Sequence, residues 1–468
     1  MQRKLIPTVM KFGGTSVEDE RAFERVAKIV QCVHALNVTR PVVVVSAMSG
    51  VTDALLKSVE RAAAGDSEGA KRLLESHWLR HLNVARALAI EPSAIEAMLE
   101  RTRREVAELL QATSVKVMER PLLQDLIVSY GERLSSALLA DVFRQIGLPA
   151  QHVDARRCIV TNCEHGSAEP LLPQTELHTR AMLEPLIAAR KIPVLGGFIG
   201  SAEDGKTTTL GRGGSDYTAA LVGASLGARE VQIWTDVTGV LTADPRLIKQ
   251  ARTIARLSYA EAAELAYFGA KVLHPKTIQP AVEQCIPVRI CNTRAPDAEG
   301  TFVCSEVEIS PRTVKAIAHK IGISLVQITS ARMLGAYGFL HAIFEVFNRH
   351  RTAIDIVTTS EVSVSLSLDD ASALPSIVNE LKEFGAVRVE HNQAIICVVG
   401  EGLRGTSGIA ARIFSCLSDI NISLISQGAS SINLTFVVNE NNVHEAVSRL
   451  HATFFESDME SKVEAAVA

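Results

Sequence analysis

Lys11 closes a short apolar stretch, Val9 to Phe12, and stands directly before Gly13-Gly14. Small residues at that point let backbone N–H groups approach an anion, and the lysine adds a point charge. A Gly-Gly after a strand is nevertheless a plain turn more often than a phosphate site. A second loop, Gly211-Arg212-Gly213-Gly214-Ser215-Asp216, precedes an apolar segment with Ala219, Ala220, Leu221 and Ala224. Ser215 or Asp216 is expected to cap a helix there, and the helix N-terminus favours an anion. Arg212 suits a carboxylate held by two hydrogen bonds, and Asp216 an ammonium group or a metal. The competing reading is a capped helix with a solvated arginine. Thr235-Asp236 ends a third apolar run, where α/β proteins place ligands. Asp244-Pro245-Arg246 follows, a sequence that alone signals only a turn. Glu132, within Ser129-Tyr130-Gly131-Glu132-Arg133, is read as opening a further helix, where a first-turn acid complements the dipole.

These groups suit phosphoryl transfer. That reaction needs little covalent help from protein: it needs phosphate charge neutralised, nucleophile and leaving group held in line, and usually magnesium.

The elements that position them follow from the hydrophobic pattern. Phe23, Val26, Ile29, Val30 and Val33 recur at helical spacing, and Val42-Val43-Val44-Val45 reads as a strand buried on both faces. Strand, helix, strand in this order implies a parallel βαβ unit. Residues 53–119 read as helices. The α/β rhythm resumes with strands at Ile192-Pro193-Val194-Leu195, Val231-Gln232-Ile233-Trp234 and Val288-Arg289-Ile290-Cys291. Ser258-Tyr259-Ala260-Glu261 has the spacing of a capping box.

A different organisation begins near Pro311. Gly338-Phe339-Leu340-His341-Ala342-Ile343-Phe344 resembles Gly408-Ile409-Ala410-Ala411-Arg412-Ile413-Phe414, 70 residues on. Strands are expected after each, at Ile354–Val357 and Ile422–Ile425, then at Val362–Leu368 and Ile432–Val438. This is an internal duplication of a small β-α-β-β module.

The chain has 468 residues, 47% hydrophobic and 21% charged, with a formal net charge of -4. Length alone suggests several domains, and the charge argues against nucleic-acid or anionic-membrane partners. No apolar run reaches the ~20 residues that a bilayer needs. The eight cysteines are scattered, without C-x-x-C. That suits a reducing cytoplasm. Cys163-Glu164-His165 is read as structural rather than as zinc ligands, so no protein metal site is expected.

Taken in order, these motifs resemble the amino-acid kinase fold, and specifically the aspartate kinases. The resemblance rests on Lys11 to Val17, Val45 to Asp53, Gly131-Glu132-Arg133, Gly211 to Asp216, Trp234-Thr235-Asp236-Val237, Asp244-Pro245-Arg246 and Phe268 to Pro275. It implies an α/β fold: a three-layer kinase domain with a mainly parallel sheet, over 1–305. Two ferredoxin-like ACT domains, over 313–392 and 393–462, would follow. It implies ATP with Mg²⁺ as cosubstrate and L-aspartate as phosphoryl acceptor. Arg212 would hold the α-carboxylate, and Glu132 and Asp216 the α-ammonium. Ser46, Ala47, Thr52 and Ser215 would line the same pocket. Lys11 would neutralise charge between the acceptor carboxylate and the γ-phosphate. Gly13, Gly14, Thr235, Asp236, Arg246, Lys271 and Val272 would hold the nucleotide. Leu241 departs from the tyrosine of many relatives. In the first repeat, Met333, Gly338, Phe339, Leu340, Asp355, Thr359 and Glu361 match the effector site of lysine-sensitive relatives, although Ala336 and Ala353 replace residues that are often serine there. Asp355 would pair an effector's amino group, and pairing of ACT domains would make a homodimer or higher oligomer.

Three readings are therefore open at this stage: an aspartate kinase, another small-molecule kinase of the same fold, and a catalytically inactive amino-acid sensor. A fusion to homoserine dehydrogenase is not expected, since the chain ends near the second repeat.

Overall fold

The strand–loop–helix–strand opening is built as the apolar periodicity requires. A computed structural model describes residues 6–90, 92–116, 119–269, 273–305 and 313–456. In it β1 (Pro7–Phe12) leads through the glycine loop into α1 (Glu20–Ala35) and β2 (Arg40–Val45). Asp19 caps α1, accepting the Ala22 N–H at 2.8 Å. Both strands are buried along their whole length and pair in parallel. Four helices follow: α2 (Val51–Ala63), α3 (Ser67–Ala87), α4 (Pro92–Ser114) and α5 (Arg120–Gln145).

The chain continues as β3 (Ala150–Val153), β4 (Val160–Thr161), α6 (Leu172–Ala188), β5 (Ile192–Gly196), β6 (Ile199–Ala202), β7 (Thr207–Thr209), α7 (Gly214–Leu226) and β8 (Glu230–Thr235). Next come β9 (Arg256–Ser258), α8 (Tyr259–Tyr267), α9 (Pro275–Glu283), β10 (Val288–Asn292) and β11 (Thr301–Cys304). Eight strands form one sheet in the order β3-β5-β2-β1-β8-β10-β11-β9, parallel except where β10 meets β11. Strands β4, β6 and β7 form a small second sheet.

Alternate residues of the central strands serve opposite layers. Met10, Phe12, Val43 and Val45 join the core formed with α1, α2 and α5. Val9 and Val231 face α7, where a Cβ on Gly223 would come within 2.6 Å of the Val231 side chain. The result is the three-layer α/β arrangement that the sequence suggests.

Two local readings are corrected. Glu132 does not open a helix: it lies in the middle of α5, whose buried residues run from Leu123 to Phe143. A helix enclosed on all sides shows no polar face to mark its start. Helix α7 is capped by Gly213 (φ 73°) without a side-chain cap, so Ser215 and Asp216 sit in its first turn. The carboxylate of Asp216 is thereby released from capping and faces Lys11.

Among the described residues, 241–254, 260–269, 273 and 313–456 cluster as a second unit. Its elements are β12 (Ala316–Thr329), α10 (Phe339–Arg349), β13 (Val357–Thr359), β14 (Ser363–Leu368), α11 (Leu374–Leu381), β15 (Ala386–Val399), α12 (Ile409–Ser415), β16 (Ile422–Gln427), β17 (Asn433–Asn439) and α13 (Val443–His451). They form an antiparallel sheet, β13-β14-β12-β15-β17-β16. The duplication is real: α10 and α12 each start from a left-handed glycine, Gly338 and Gly408. The regular strand expected over 354–357 is shorter and later, Val357–Thr359, although Asp355 and Ile356 also hydrogen-bond to Ser367 of β14. Strands β12 and β15 are shared by the two repeats. Their outer halves, Ala316–Lys320 and Ile395–Val399, pair beside β17, and Leu325–Thr329 and Ala386–Glu390 pair beside β14. Each repeat keeps its own core, one around Phe347 and Leu366, the other around Phe436 and Val447.

Gly197 after β5 is packed so closely that an added Cβ would lie 2.7 Å from the Ser215 Cα. Gly197→Ala is therefore expected to push the start of α7 outward and to destabilise the protein by about 1–3 kcal/mol. Urea denaturation checks this, and an unchanged midpoint would contradict it.

Candidate active site

The C-terminal ends of β1, β2, β5 and β8 open into a cavity of about 830 Å³. Its walls include Lys11, Gly13, Gly14, Ser46, Ala47, Thr52, Glu132, Arg212, Ser215, Asp216, Thr235 and Asp236. Sequence-predicted residues separated by up to 225 positions thus converge on one site.

Lys11 ends β1, and its Nζ lies 2.7 Å from Asp216 Oδ1 in the first turn of α7. The two side chains are 11% and 17% exposed, so the pair is partly desolvated and only weakly screened. Gly13 carries the chain out of the sheet beside that ammonium, its Cβ position 3.5 Å from Lys11 Nζ. The Gly13 N–H donates to the Trp234 carbonyl at 3.1 Å, which ties the loop to β8. A Cβ on Gly14 would meet the Ala47 carbonyl oxygen at 3.0 Å. Gly14 therefore lets the first loop close on the loop after β2, where Ser49 N–H donates to Gly14 O at 3.2 Å.

That second loop is fixed from below. Ser46 N–H donates to Phe12 O at 3.0 Å, and Ser135 Oγ donates to Ser46 O at 2.7 Å. The Ala47 N–H donates to Glu132 Oε1 at 3.3 Å. Glu132 is 3% exposed, and its Oε2 has no protein partner. Burial pushes its carboxyl up to about 8, against the opposing hydrogen bond from the Ala47 backbone. Arg212 is exposed and, among the described residues, has no ion-pair partner. The pocket thus combines one free guanidinium, one ion-paired lysine and one buried carboxyl with an open lone pair. A zwitterion carrying a second carboxylate matches that set.

Thr235 and Asp236 line the same cavity at the end of β8, the Thr235 hydroxyl donating to Asp236 at 3.2 Å. Arg246 is not among the lining residues. It makes a bidentate pair with Asp244, with contacts of 2.6 and 3.0 Å, and belongs to the second unit. Lys271 and Val272 lie outside the described residues. Sequence reasoning missed Asp125, Gly166, Phe198 and Thr209, which also line the pocket. The Thr207-Thr208-Thr209 run before Gly211 was a usable signal, but Asp125 in mid-helix gave none.

The predicted effector residues lie in the second unit. Gly338 caps α10 with Phe339 and Leu340 in its first turn, Met333 precedes it, Thr359 ends β13, and Glu361 is exposed. The Asp355 side chain is 2% exposed and already has partners: Lys320 Nζ at 3.1 Å and the Tyr267 hydroxyl, which donates to it at 2.6 Å. Lys320 also meets Asp369 at 2.7 Å. An effector amino group at Asp355 would therefore compete with an internal ammonium.

A parallel sheet with glycine loops at its carboxyl edge and an anion cradle of this kind defines an α/β phosphotransferase. The amino acid kinase family matches residues 7–292, and an ACT domain matches residues 396–454. Lysine-sensitive aspartokinase 3 of Escherichia coli is 38% identical over 96% of this chain and 99% of its own length. Chloroplastic aspartokinase 2 of Arabidopsis thaliana is 35% identical, covering 97% of this chain and 85% of that one. The structure of E. coli aspartokinase III with aspartate and ADP superposes with a TM-score of 0.81, at 37% identity, over 96% of this chain and all of that one. A second structure of that enzyme, with lysine and aspartate, gives the same TM-score. Clostridium acetobutylicum aspartate kinase gives 0.83 at 28% identity, over 96% and 100% of the two chains. The chain belongs to the aspartokinases of the amino acid kinase family.

The raised Glu132 carboxyl has a consequence for stability. Between its ordinary value of 4.5 and about 8 the folded chain holds a proton that the unfolded chain has released. Its contribution is fully present below that ordinary value and is lost as pH rises through about 8. The thermal midpoint of the ligand-free protein should therefore fall more steeply from pH 5 to pH 8 in the wild type than in Glu132→Gln. Parallel slopes would contradict the assignment.

Proposed function

We propose that this chain transfers the γ-phosphoryl group of ATP to the β-carboxylate of L-aspartate, giving 4-phospho-L-aspartate and ADP. The observation that carries the reading is the Lys11–Asp216 pair in a pocket that also holds the unpaired Arg212 and the buried Glu132. A relative 38% identical over nearly its whole length has been crystallised with aspartate and ADP.

Arg212 takes the α-carboxylate of the substrate, and Glu132 and Asp216 receive the α-ammonium. Arrival of that ammonium favours the ionised form of Glu132, so the group most strained by burial is relieved by substrate. Ser46, Ala47, Thr52 and Ser215 shape the pocket around the carbon chain. Lys11 then faces the β-carboxylate and the incoming γ-phosphate and offsets the charge that builds between them. A carboxylate is already a nucleophile, so no general base is needed. The backbone at Gly13-Gly14 takes phosphate oxygens, and Thr235 and Asp236 lie on the nucleotide side of the cavity. Arg246, Lys271 and Val272 complete the nucleotide set by family correspondence.

Magnesium fits this pocket as an ion held mainly by the phosphates of ATP. Among the described residues no cluster of three His, Cys, Asp or Glu forms a protein cage, and the exposed Asp236 is a carboxylate of the kind such an ion takes as a single protein ligand. Bound there, the ion would neutralise charge on the β- and γ-phosphates.

Lysine is the proposed effector. Asp355, with Met333, Gly338, Phe339, Leu340, Thr359 and Glu361, forms its site on the first repeat, and the E. coli relative has been crystallised with lysine. The domain limits that go with this reading are 1–305, 313–392 and 393–462, with a homodimer or higher oligomer formed through the ACT domains. The free thiols fit a reducing cytoplasm.

A hydroxamate assay with ATP, Mg²⁺ and L-aspartate tests the reading, and absence of product at any aspartate concentration would overturn it in favour of a sensor. Lys11→Ala should lower kcat by about 10²–10³-fold with folding retained. Wild-type turnover in that variant would remove Lys11 from the chemistry. Lysine should inhibit, and Asp355→Ala should raise the concentration for half-inhibition by roughly tenfold or more. An unchanged inhibition curve would place the effector elsewhere.

A further inference from the structure

Asp125 sits on α5 two turns before Glu132, and its carboxylate is 1% exposed although the residue borders the active-site cavity. It accepts from three groups on two other segments. His165 Nδ1 lies at 2.8 Å, the Gly166 N–H at 3.0 and 3.1 Å from the two oxygens, and the Thr209 hydroxyl donates at 2.6 Å. The Gly166 N–H and the Thr209 hydroxyl are donors to it, and the imidazole Nδ1 faces the same carboxylate. His165 of Cys163-Glu164-His165 thus meets a buried acid. Among the described residues no lysine or arginine pairs with Asp125. A buried charge held only by dipoles and an imidazole is costly unless every lone pair is met.

What this knot holds is the base of Arg212. Thr209 is three residues before Arg212. Ala168 N–H donates to Thr209 O at 2.9 Å, which binds the 165–168 loop to β7. Gly211, with φ 73°, lies against that loop: a Cβ on it would be 3.5 Å from Gly166 O and 3.7 Å from Ser167 Cα. Among the described residues Arg212 has no partner of its own, so its direction is inherited from the backbone at Gly211. Asp125 fixes both sides of that backbone from a single point.

We propose that Asp125, through His165, Gly166 and Thr209, is a positioning residue that aims Arg212 at the α-carboxylate of the amino-acid substrate. The inference rests on the reading of the site as an aspartate kinase. It separates the two substrates, because the knot touches neither the Gly13-Gly14 loop nor Thr235 and Asp236. Displacement of a binding group by about 1 Å is enough to cost up to ~10²-fold.

Steady-state kinetics of the full-length chain test it, varying L-aspartate and ATP separately. Asp125→Ala is expected to raise KM for L-aspartate by about tenfold or more, with KM for ATP within about twofold of wild type. Asp125→Asn, which still accepts from Gly166 and Thr209, should recover part of that loss. If Asp125→Ala does not fold, Thr209→Val removes one hydrogen bond and should still raise KM for L-aspartate by roughly threefold to fivefold, again without moving KM for ATP. An unchanged KM for L-aspartate in Thr209→Val and Asp125→Asn would overturn the inference. So would parallel changes in both KM values and kcat, the pattern of a purely structural defect. A wild-type chain inactive on L-aspartate would overturn the underlying reading, and is seen before any variant is made.

Discussion

The ion pair between Lys11 and Asp216 is the constraint on which the rest of the catalytic unit depends. A cation is needed where two anions must meet, and a charge at the end of a buried central strand is costly to desolvate unless it is paired. Asp216 supplies it from the opposite wall, at 2.7 Å. Strand β1 lies between β2 and β8, and α7 packs on the same sheet through Gly223, so both ends of the pair are carried by rigid elements. Gly213 caps α7 with backbone alone, which leaves the carboxylate of Asp216 for the lysine. Gly197 lets the helix start close against β5. Gly14 and Gly197 are needed because backbone occupies the space a Cβ would take.

Charge in the pocket is arranged in layers of decreasing commitment. Lys11 and Asp216 already satisfy each other. Glu132 is held as a neutral acid up to about pH 8 by burial, with one oxygen unpartnered. Arg212 is exposed and unpaired. On the proposed function, an incoming zwitterion finds one ready cation for its α-carboxylate and one acid whose ionisation its ammonium promotes. Asp125 adds an anion to the wall but one whose acceptor sites are already met, so it orders the loop without competing for substrate. The second unit follows the same logic. Asp355 is buried beside Lys320 and under the Tyr267 hydroxyl, so its carboxylate is already paired within the unit.

Much of this was legible in the sequence, for reasons that can be named. Val42–Val45 is strand on composition, and the Phe23–Val33 spacing is helix. The glycine loops are visible because strand ends and turns restrict residue choice. Lys11, Arg212, Asp216, Thr235 and Asp236 all come to one cavity as their positions at strand and helix ends suggested. What was not legible is what depends on three dimensions. Glu132 looks like a helix start but lies in the middle of a helix buried on all sides, where periodicity carries no signal. Asp125 has no local motif at all, since its partners are 40, 41 and 84 residues away. The strands shared between the repeats escaped for a related reason: β12 and β15 each serve two cores, so neither half repeats the pattern of the other.

The central claim is that the β-carboxylate of L-aspartate is itself the nucleophile, with Lys11 neutralising charge and no base removing a proton. Isotopic labelling reads this directly. L-Aspartate labelled with ¹⁸O in both β-carboxylate oxygens, turned over with ATP and trapped with hydroxylamine, releases phosphate whose label is counted by ³¹P NMR. Attack by the carboxylate predicts one ¹⁸O in each phosphate released, because the bridging oxygen leaves with phosphorus when hydroxylamine attacks the carbonyl carbon. Phosphate without ¹⁸O, produced from ATP at the same rate, would mean that water or another group is the acceptor and would contradict the account.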